Sequence, residues 1–208
     1  MSTAIQTSPT RTLPQLDDAG RALLFTEART ANTFADTPVT DEELRSIWDL
    51  AKWGPTSANT QPLRVVYVRT PEGKARLVPL MAEGNRAKTA SAPAVAVLAV
   101  DTRFHEHMPT TFPVRPQMQE MYAGNDALRE SAAQLNGSLQ AAYFITSVRA
   151  HGLAAGPMTG IDATGIDAEF FPDGRFRTLM VVNIGHPGAD PWFGRLPRLD
   201  HADVLTFA

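Results

Sequence analysis

The chain has 208 residues, no cysteine and a formal net charge of -3. These values exclude disulfides, thiolate catalysis and cysteine-based metal sites, and they provide no cationic surface that would favour nucleic acid. The longest apolar run, 92–100, is too short to span a bilayer, and residues 1–12 lack the apolar segment of a secretory signal. We therefore expect a cytoplasmic protein with no membrane or nucleic-acid partner, built from a flexible tail (1–15) and a single domain (16–208).

The clearest predicted helix lies immediately before a polar loop. Thr40 and Glu43 have the spacing of a capping box that begins a helix. Gly54 and Pro55 mark its end, because glycine and proline are common just beyond helix termini. Its apolar residues repeat with helical periodicity at Leu44, Ile47, Trp48 and Ala51.

Helices and strands alternate along the rest of the chain. Further helices are predicted over 16–28, 70–81, 84–88, 125–150 and 162–171, and strands over 64–69, 92–100, 153–160 and 177–185. In the first helix, the predicted buried side carries Leu23, Leu24 and Ala28. In the helix at 125–150, an apolar side is predicted from Leu128, Ala132, Leu135, Leu139, Ala142, Tyr143 and Thr146. The C-terminal half of that helix is expected to be buried on most faces. The small residues around Gly137 favour close packing against another helix, either in the same chain or across a dimer axis.

The loop from Gly54 to Pro62 reads Gly-Pro-Thr-Ser-Ala-Asn-Thr-Gln-Pro. Its prolines and glycine restrict the backbone, and its hydroxyl and amide side chains can donate and accept hydrogen bonds. A polar surface turn is one interpretation of this composition. A ligand-binding loop, held in place by the preceding helix, is the other.

Basic residues at three positions also have two interpretations each. Arg29 can interact with the dipole of a helix end, or its guanidinium can hold a phosphate. Lys88 follows Asn85 by three residues on a predicted helix, so the two side chains share a face and form either a solvated surface or a ligand contact. Arg195 precedes Leu-Pro and belongs either to a proline-rich surface tail or to a ligand contact.

Residues 101–124 have no clear periodicity and predict a long loop or broken helix. Segments of this length inside a compact domain are often lids over a site. His105 and His107 suggest a metal site only weakly, because no further His or Cys accompanies them. The candidate substrate contacts in this segment are Phe112, Arg115 and Tyr122.

Taken in order, these segments resemble the flavin-binding segments of the nitroreductase family, from about Ala22 to Leu199. The nearest branch is the malonic semialdehyde reductase type, which the stretches at 28–32, 52–59 and 195–199 resemble. The resemblance implies an FMN site formed by Arg29, Thr30, Asn32, Pro55, Thr56, Ser57, Asn59, Asn85, Lys88, Pro157, Met158, Thr159, Gly160, Arg195 and Arg198. One position departs from the family pattern, because Phe193 stands where a second basic residue is common.

The resemblance also implies a three-layer α+β fold, with a mixed, mostly antiparallel sheet flanked by helices. It implies a homodimer with FMN at the interface, where the loop at 57–59 reaches the flavin held mainly by the other subunit. The absence of Gly-x-Gly-x-x-Gly after a strand argues against a Rossmann dinucleotide site.

The implied activity is ping-pong hydride transfer from NADH or NADPH through FMN, with no catalytic side chain, since the flavin carries the hydride. We expect reduction of malonic semialdehyde (3-oxopropanoate) to 3-hydroxypropanoate, with nitroaromatic or quinone reduction as the alternative. A non-catalytic flavin-binding or storage protein is a further hypothesis. A metal-dependent hydrolase using His105 and His107 lacks further plausible ligands.

Overall fold

The computed structural model describes residues 12–208, so residues 1–11 of the predicted tail lie outside the described residues. The helices are α1 (Asp18–Arg21), α2 (Asp41–Ala51), α3 (Pro71–Leu77), α4 (Glu83–Ser91), α5 (Met108–Thr111), α6 (Gln117–Ala123), α7 (Asp126–Ala150), α8 (Ala163–Phe170) and α9 (His201–Val204). A π-helix at Ala22–Thr26 continues α1, and 3-10 helices lie at Ser57–Asn59, Val78–Leu80 and Phe104–His107. The strands are β1 (Leu63–Val68), β2 (Ala94–Asp101), β3 (Ala154–Met158) and β4 (Phe176–Gly185).

The four strands form one sheet in the order β1-β2-β4-β3, with β1 and β3 at its two edges. All three strand pairs are antiparallel, so the sheet in residues 12–208 is antiparallel throughout rather than mixed. The register shifts between Leu98 and Ala99, where β2 carries a bulge opposite β4. The α+β class predicted from the sequence is confirmed.

The central strand β2 is buried on both faces, and its side chains alternate between two hydrophobic cores. Ala96 and Leu98 belong to the core that contains Ile47 of α2 and Phe144 of α7. Val95 and Val97 belong to the opposite core, whose helical residues include Leu77 of α3 and Ile166 of α8. Helices therefore cover both faces of the sheet, which gives three layers. Within the described chain, no helix combines the length and the apolar character needed to cross a bilayer.

Helix α2 begins as predicted from its sequence. The Thr40 hydroxyl accepts a hydrogen bond from the Glu43 amide, and the Glu43 carboxylate accepts one from the Thr40 amide. These reciprocal bonds satisfy two amides that the helix itself cannot satisfy, and they lower the pKa of Glu43. Leu44, Ile47 and Ala51 are buried. The loop that follows therefore starts from a well-anchored helix.

The prediction for the buried side of α7 was wrong. Leu135 is 62% exposed, and Leu128, Leu139 and Tyr143 are exposed as well. The buried side consists of Ala133, Asn136, Gly137, Gln140, Ala141, Phe144, Ser147 and Val148. Small and polar residues occupy it from Ala133 to Ala141, where the helix lies close against the sheet and bonds to the backbone at Ser57 and Leu63, and Phe144 and Val148 complete it with apolar contacts. The apolar stripe faces outward.

The first predicted helix is also different in the structure. Only Asp18–Arg21 is α-helical, and a π-helix then displaces the register over Ala22–Thr26. Leu23 is 48% exposed, so it does not belong to a buried face, while Leu24 and Ala28 are half-buried. A register based on 3.6 residues per turn does not hold through a π-helix.

Gly137 allows α7 to approach the sheet, and replacing it tests this packing. At Gly137 the close neighbour is the sheet rather than the predicted helix, since a Cβ there would overlap Val100 Cγ1 of β2 and lie 3.1 Å from Leu179 Cδ1, although α7 packs against α2 elsewhere. Gly137→Ala is expected to destabilise the protein, because overpacking costs about 1–3 kcal/mol and the gain in helix propensity is only about 1 kcal/mol. Urea unfolding midpoints measure the effect.

Gly84→Ala is the matched control, because Gly84 also lies in a helix, but a Cβ added there would have no atom within 4 Å. That variant is expected to be neutral or slightly stabilised. Equal midpoints for the Gly137 and Gly84 variants would contradict the packing argument.

Candidate functional site

Three arginines line one pocket, which lies between the segments 28–32 and 193–198. Arg29, Arg195 and Arg198 surround a cavity of about 260 Å³, and no acidic residue lines it. We call this the arginine pocket. The remaining lining residues are Ala28, Thr30, Asn32, Phe193, Gly194 and Leu196. The structure thus brings together the predicted phosphate contacts from both ends of the sequence.

Backbone contacts hold the arginine pocket in place. The Arg29 guanidinium donates to the Phe193 carbonyl at 3.3 Å, and that of Arg195 donates to the Ala28 carbonyl at 3.4 Å. The Ala31 amide donates to the carbonyl of Ala155 in β3, which fixes the segment to the edge of the sheet. Among residues 12–208, no carboxylate lies within 4.0 Å of these guanidiniums. The pocket therefore has positive charge without a neutralising partner.

A second polar group adjoins the arginine pocket through Asn32. The Lys88 ammonium lies 3.3 Å from Asn32 Oδ1, and both residues are half-buried. One turn earlier on α4, the Asn85 amide donates to the Gly160 carbonyl at 2.9 Å. A Cβ at Gly160 would lie 2.8 Å from Asn85 Nδ2, so a larger residue there would displace the Asn85 amide. Gly160 follows Pro157, Met158 and Thr159 at the end of β3, as predicted for this turn.

The loop from Gly54 to Pro62 lies elsewhere, beside the opposite edge strand β1. The Asn136 side chain accepts a hydrogen bond from the Ser57 amide at 2.7 Å, and the Gln140 side chain accepts one from the Leu63 amide at 2.9 Å. Both amide side chains come from the buried side of α7. They hold the loop and the start of β1 through backbone bonds that leave the Ser57 side chain exposed.

The two groups of predicted flavin contacts are therefore separated within one chain. Lys88 and Gly160 lie near edge strand β3, whereas Ser57 and Asn59 precede edge strand β1. Three interstrand spacings correspond to about 14 Å. Within one chain, the two predicted groups therefore do not form a single site.

The segment 102–116, which we call the lid, folds as short helical turns after β2. Phe112 and Arg115 line a cavity of about 150 Å³ together with Met108, Pro109, Pro113, Pro116 and Gln119. The third predicted substrate contact, Tyr122, is not in this cavity. It is buried with its ring 5.1 Å from that of Phe104, in a small core under the lid.

His105 and His107 lie in the 3-10 helix at Phe104–His107, close to Asp101. Within residues 12–208, no three His, Asp or Glu side chains are close enough together to hold a metal ion. His107 Nε2 instead lies 3.6 Å from the carboxylate of Asp101. Burial and the nearby charge of Arg129 lower the pKa of His105.

Asp101 is a central residue that the sequence analysis missed. Its carboxylate is completely buried and accepts two hydrogen bonds from Arg175 and one from Arg64. Burial alone would raise its pKa, but the hydrogen bonds from Arg175 and the Arg103 amide, with the charge of Arg64, hold the pKa below its usual value. Arg175 donates two hydrogen bonds to this carboxylate and Arg64 donates one. Asp101 raises the pKa of Arg175, while burial lowers that of Arg64.

Some sequence signals for these missed residues do exist. Asp101 directly follows the most apolar strand of the chain, where an ionised side chain requires a partner. Asn136 and Gln140 are four residues apart on α7 and align with Gly137 and Ala133, so a small and polar side was visible beside the apolar one. The identity of their partners was not visible, because they are distant in sequence.

Comparisons with known proteins show the family and the fold of the chain. The sequence model of the nitroreductase family matches residues 26–186. A Streptomyces coelicolor protein, named as a candidate NADH dehydrogenase/NAD(P)H nitroreductase, is 60% identical over 196 residues, which are 94% of this chain and 97% of the relative. A candidate nitroreductase of Exiguobacterium sibiricum, solved in complex with FMN, has a TM-score of 0.80 at 22% identity and covers 95% of this chain and 100% of its own. A candidate nitroreductase of Bacillus subtilis has a TM-score of 0.81 at 22% identity, with coverages of 91% and 99%.

Proposed function

Since the chain belongs to the nitroreductase family, we propose that it is an FMN-dependent NAD(P)H oxidoreductase. The observation that carries this proposal is a set of cations that lie near edge strand β3 and have no carboxylate partner within residues 12–208. Arg29, Arg195 and Arg198 line the arginine pocket, and Lys88 adjoins it through Asn32. The names of the relatives and the FMN in one structural neighbour support the same assignment.

The donor set fits FMN. The arginine pocket would hold the terminal phosphate, because guanidinium groups bind phosphate oxygens in pairs. Lys88 and Asn85 would face the ring system, where a cation stabilises the negative charge of the reduced form. The Gly160 amide makes no hydrogen bond within residues 12–208 and would be free to donate to the ring. Bound FMN supplies hydride transfer between a nicotinamide and an acceptor.

For the acceptor, we propose malonic semialdehyde, which is reduced to 3-hydroxypropanoate. The support is the resemblance of three sequence stretches to that branch, together with Arg115 in the lid. The Arg115 side chain is exposed and has no carboxylate within 4.0 Å in the described chain, so it is available for a substrate carboxylate. Phe112 in the same cavity and the nitroreductase names of the relatives favour a nitroaromatic or quinone as the alternative acceptor.

A kinetic comparison tests the function and its acceptor. NADH or NADPH is expected to bleach the bound flavin, and kcat/KM is expected to be larger for 3-oxopropanoate than for a nitrofuran with the same donor. Arg115→Ala is expected to remove this preference without slowing quinone reduction. A nitrofuran advantage of about tenfold, or about 1.4 kcal/mol in transition-state binding, would favour the alternative acceptor. A flavin that neither nucleotide bleaches would indicate a storage protein.

We also propose a cytoplasmic homodimer with two flavin sites at its interface. Two exposed apolar surfaces support it, since exposed patches of this kind favour association. One is the outward stripe of α7, and the other is the C-terminal arm (187–208). The exposed residues of the arm include Trp192, Phe193, Leu196, Leu199, Val204 and Phe207.

Mixed dimers test whether each flavin site uses two subunits. Subunits with Asn59→Ala and subunits with Lys88→Ala are expected to bind little FMN separately, because both sites of each homodimer lack one contact. The mixed dimer has one intact site, so it is expected to recover FMN at one per two subunits. A mixture of differently tagged Lys88→Ala subunits is the control. Full FMN binding by a stable wild-type monomer would contradict the shared site.

A further inference from the structure

Asp101 anchors more than the end of β2. Its buried carboxylate receives four hydrogen bonds of 2.8–2.9 Å, from Arg64 Nη2, Arg175 Nε, Arg175 Nη2 and the Arg103 amide. Arg64 is in β1 and Arg175 precedes β4, so the carboxylate joins three neighbouring parts of the sheet end. It is completely buried, and the two guanidiniums are 27% and 22% exposed.

The same arginine connects Asp101 to the beginning of the lid. Arg175 Nη1 lies 3.1 Å from the Glu106 carboxylate, and Arg175 Nη2 lies 3.4 Å from His107 Nε2. Glu106 and His107 belong to the first helical turn of the lid. The Arg103 amide, which also bonds to Asp101, lies at its start. One carboxylate and one guanidinium therefore fix the N-terminal part of the lid.

Arg64 connects Asp101 to the other end of the lid. Its Nη1 donates to the Gln61 carbonyl at 3.0 Å, and the Gln61 side chain donates to Asn59 Oδ1 at 2.8 Å. The Asn59 side chain then donates to the Thr111 carbonyl at 2.7 Å. This series runs from Asp101 through the loop before β1 and back to the lid, next to Phe112.

The loop in this series adopts an unusual backbone conformation. Ala58, Asn59 and Gln61 have φ angles of 49°, 50° and 44°, although none of them is glycine. Such conformations persist only where the surroundings enforce them, and they occur often at functional sites. The bonds from Arg64 and to Thr111 are part of that enforcement.

We propose that Asp101 is a positioning residue that fixes the lid through Arg175 and Arg64 and so sets the size of acceptor that the enzyme accepts. The proposal rests on the proposed function, in which the lid cavity with Phe112 and Arg115 receives the acceptor. A fixed lid keeps this cavity small, and a released lid admits larger acceptors at the expense of small ones. Asp101 itself touches neither the acceptor cavity nor the arginine pocket.

Asp101→Asn tests the proposal, with Asp167→Asn as the matched control. Asp167 also joins two elements, because its carboxylate accepts hydrogen bonds from the Thr178 amide at 2.8 Å and hydroxyl at 2.7 Å, but it lies on α8 away from the lid. In the full-length holoprotein, Asp101→Asn is expected to speed amide hydrogen exchange in the lid by about tenfold or more, as a local opening would. The ratio of kcat/KM for a small aldehyde to that for a bulky quinone is expected to fall by about tenfold. Asp167→Asn is expected to change neither quantity.

Equal lid exchange and equal acceptor ratios in the two variants would overturn the proposal. Glu106→Gln provides a second test if Asp101→Asn does not fold, because Glu106 is exposed and its substitution removes the charge that lies 3.1 Å from Arg175, along with a longer contact of 3.9 Å to Arg103 within the lid. Faster lid exchange in Glu106→Gln supports the proposal, and unchanged exchange overturns it. Analysis of the flavin bound to the same wild-type sample distinguishes a failure of the proposed function from a failure of the role of Asp101. Absence of FMN contradicts the proposed function. Unchanged hydrogen exchange in the lid contradicts only the role of Asp101.

Discussion

The double variant Arg29→Ala/Arg195→Ala is expected to fold normally and to lose its bound flavin. Both guanidiniums line the arginine pocket and bond to backbone carbonyls rather than to carboxylates. A charge-assisted contact contributes about 1.5–3 kcal/mol, so removing Arg29 alone should weaken binding by that amount. Removing both should raise the dissociation constant by roughly 10²–10⁴, since every 1.4 kcal/mol is about tenfold.

Titration of the flavin-free protein with FMN measures this effect through the change in flavin fluorescence. Arg45→Ala is the control, because Arg45 is 78% exposed and pairs only with Asp41 on the surface of α2. Chromatography of the flavin released by heating should identify FMN rather than FAD. Arg198→Ala should weaken FMN binding less than Arg29→Ala does. Wild-type affinity in the double variant would exclude the arginine pocket as the phosphate site.

Asp101→Asn is expected to lower the free energy of unfolding by about 3 kcal/mol at neutral pH. This is the low end of the cost of removing one partner from a buried ion pair. The low end applies because the side chains of Arg64 and Arg175 are 27% and 22% exposed, so water can solvate part of the charge that loses its partner.

The pH dependence of stability identifies the charge as the cause. The folded protein holds the pKa of Asp101 below its usual value, so the stabilisation is complete above the unfolded pKa of about 3.9 and is lost as pH falls through the folded pKa. The difference in the free energy of unfolding between wild type and Asp101→Asn should therefore become smaller as the pH falls from about 5 to about 2. Urea midpoints across this range provide the measurement, with the exposed Asp49→Asn as the control. A constant difference across the range would show that shape, rather than charge, is responsible.

The sequence predicted those parts of the fold that depend on local signals. The capping box at Thr40 and Glu43 determines where α2 begins, because its hydrogen bonds form within four residues. The apolar run at 92–100 predicted β2, because a strand buried on both faces needs no polar alternation. Both signals depend on neighbours along the chain.

The outward stripe of α7 shows the limit of this approach. Periodicity identified Leu128, Leu135 and Leu139 as one side of the helix, but it does not show which surface covers that side. In the chain, Asn136 and Gln140 face inward because the loop before β1 provides backbone amides for them. The leucines were assigned to the buried side because the backbone amides of Ser57 and Leu63, which bind the polar side chains, cannot be recognised from the sequence of the helix.

The candidate site was predictable only through the family resemblance. Arg29 and Arg195 are separated by more than 160 positions, yet both line the arginine pocket. The bonds from Arg175 to Asp101 span 74 positions, and that from Asn59 to Thr111 spans 52. No local spacing rule links such pairs, because the antiparallel sheet brings them together only after folding.

Strand β1 lies at an edge of the sheet, which affects the tendency of the protein to aggregate. Its outer row of backbone amides and carbonyls pairs with no strand in residues 12–208, and Val65, Val66 and Tyr67 are only half-buried. An uncovered edge of this kind is a template for another strand, which makes it a starting point for aggregation. The risk of aggregation is greatest during synthesis and refolding, when incompletely folded chains encounter one another. Arg64 and Arg69, near the two ends of β1, do not oppose such pairing by charge, because each is already paired with a carboxylate, that of Asp101 and that of Asp41 respectively. Refolding at low protein concentration limits such encounters.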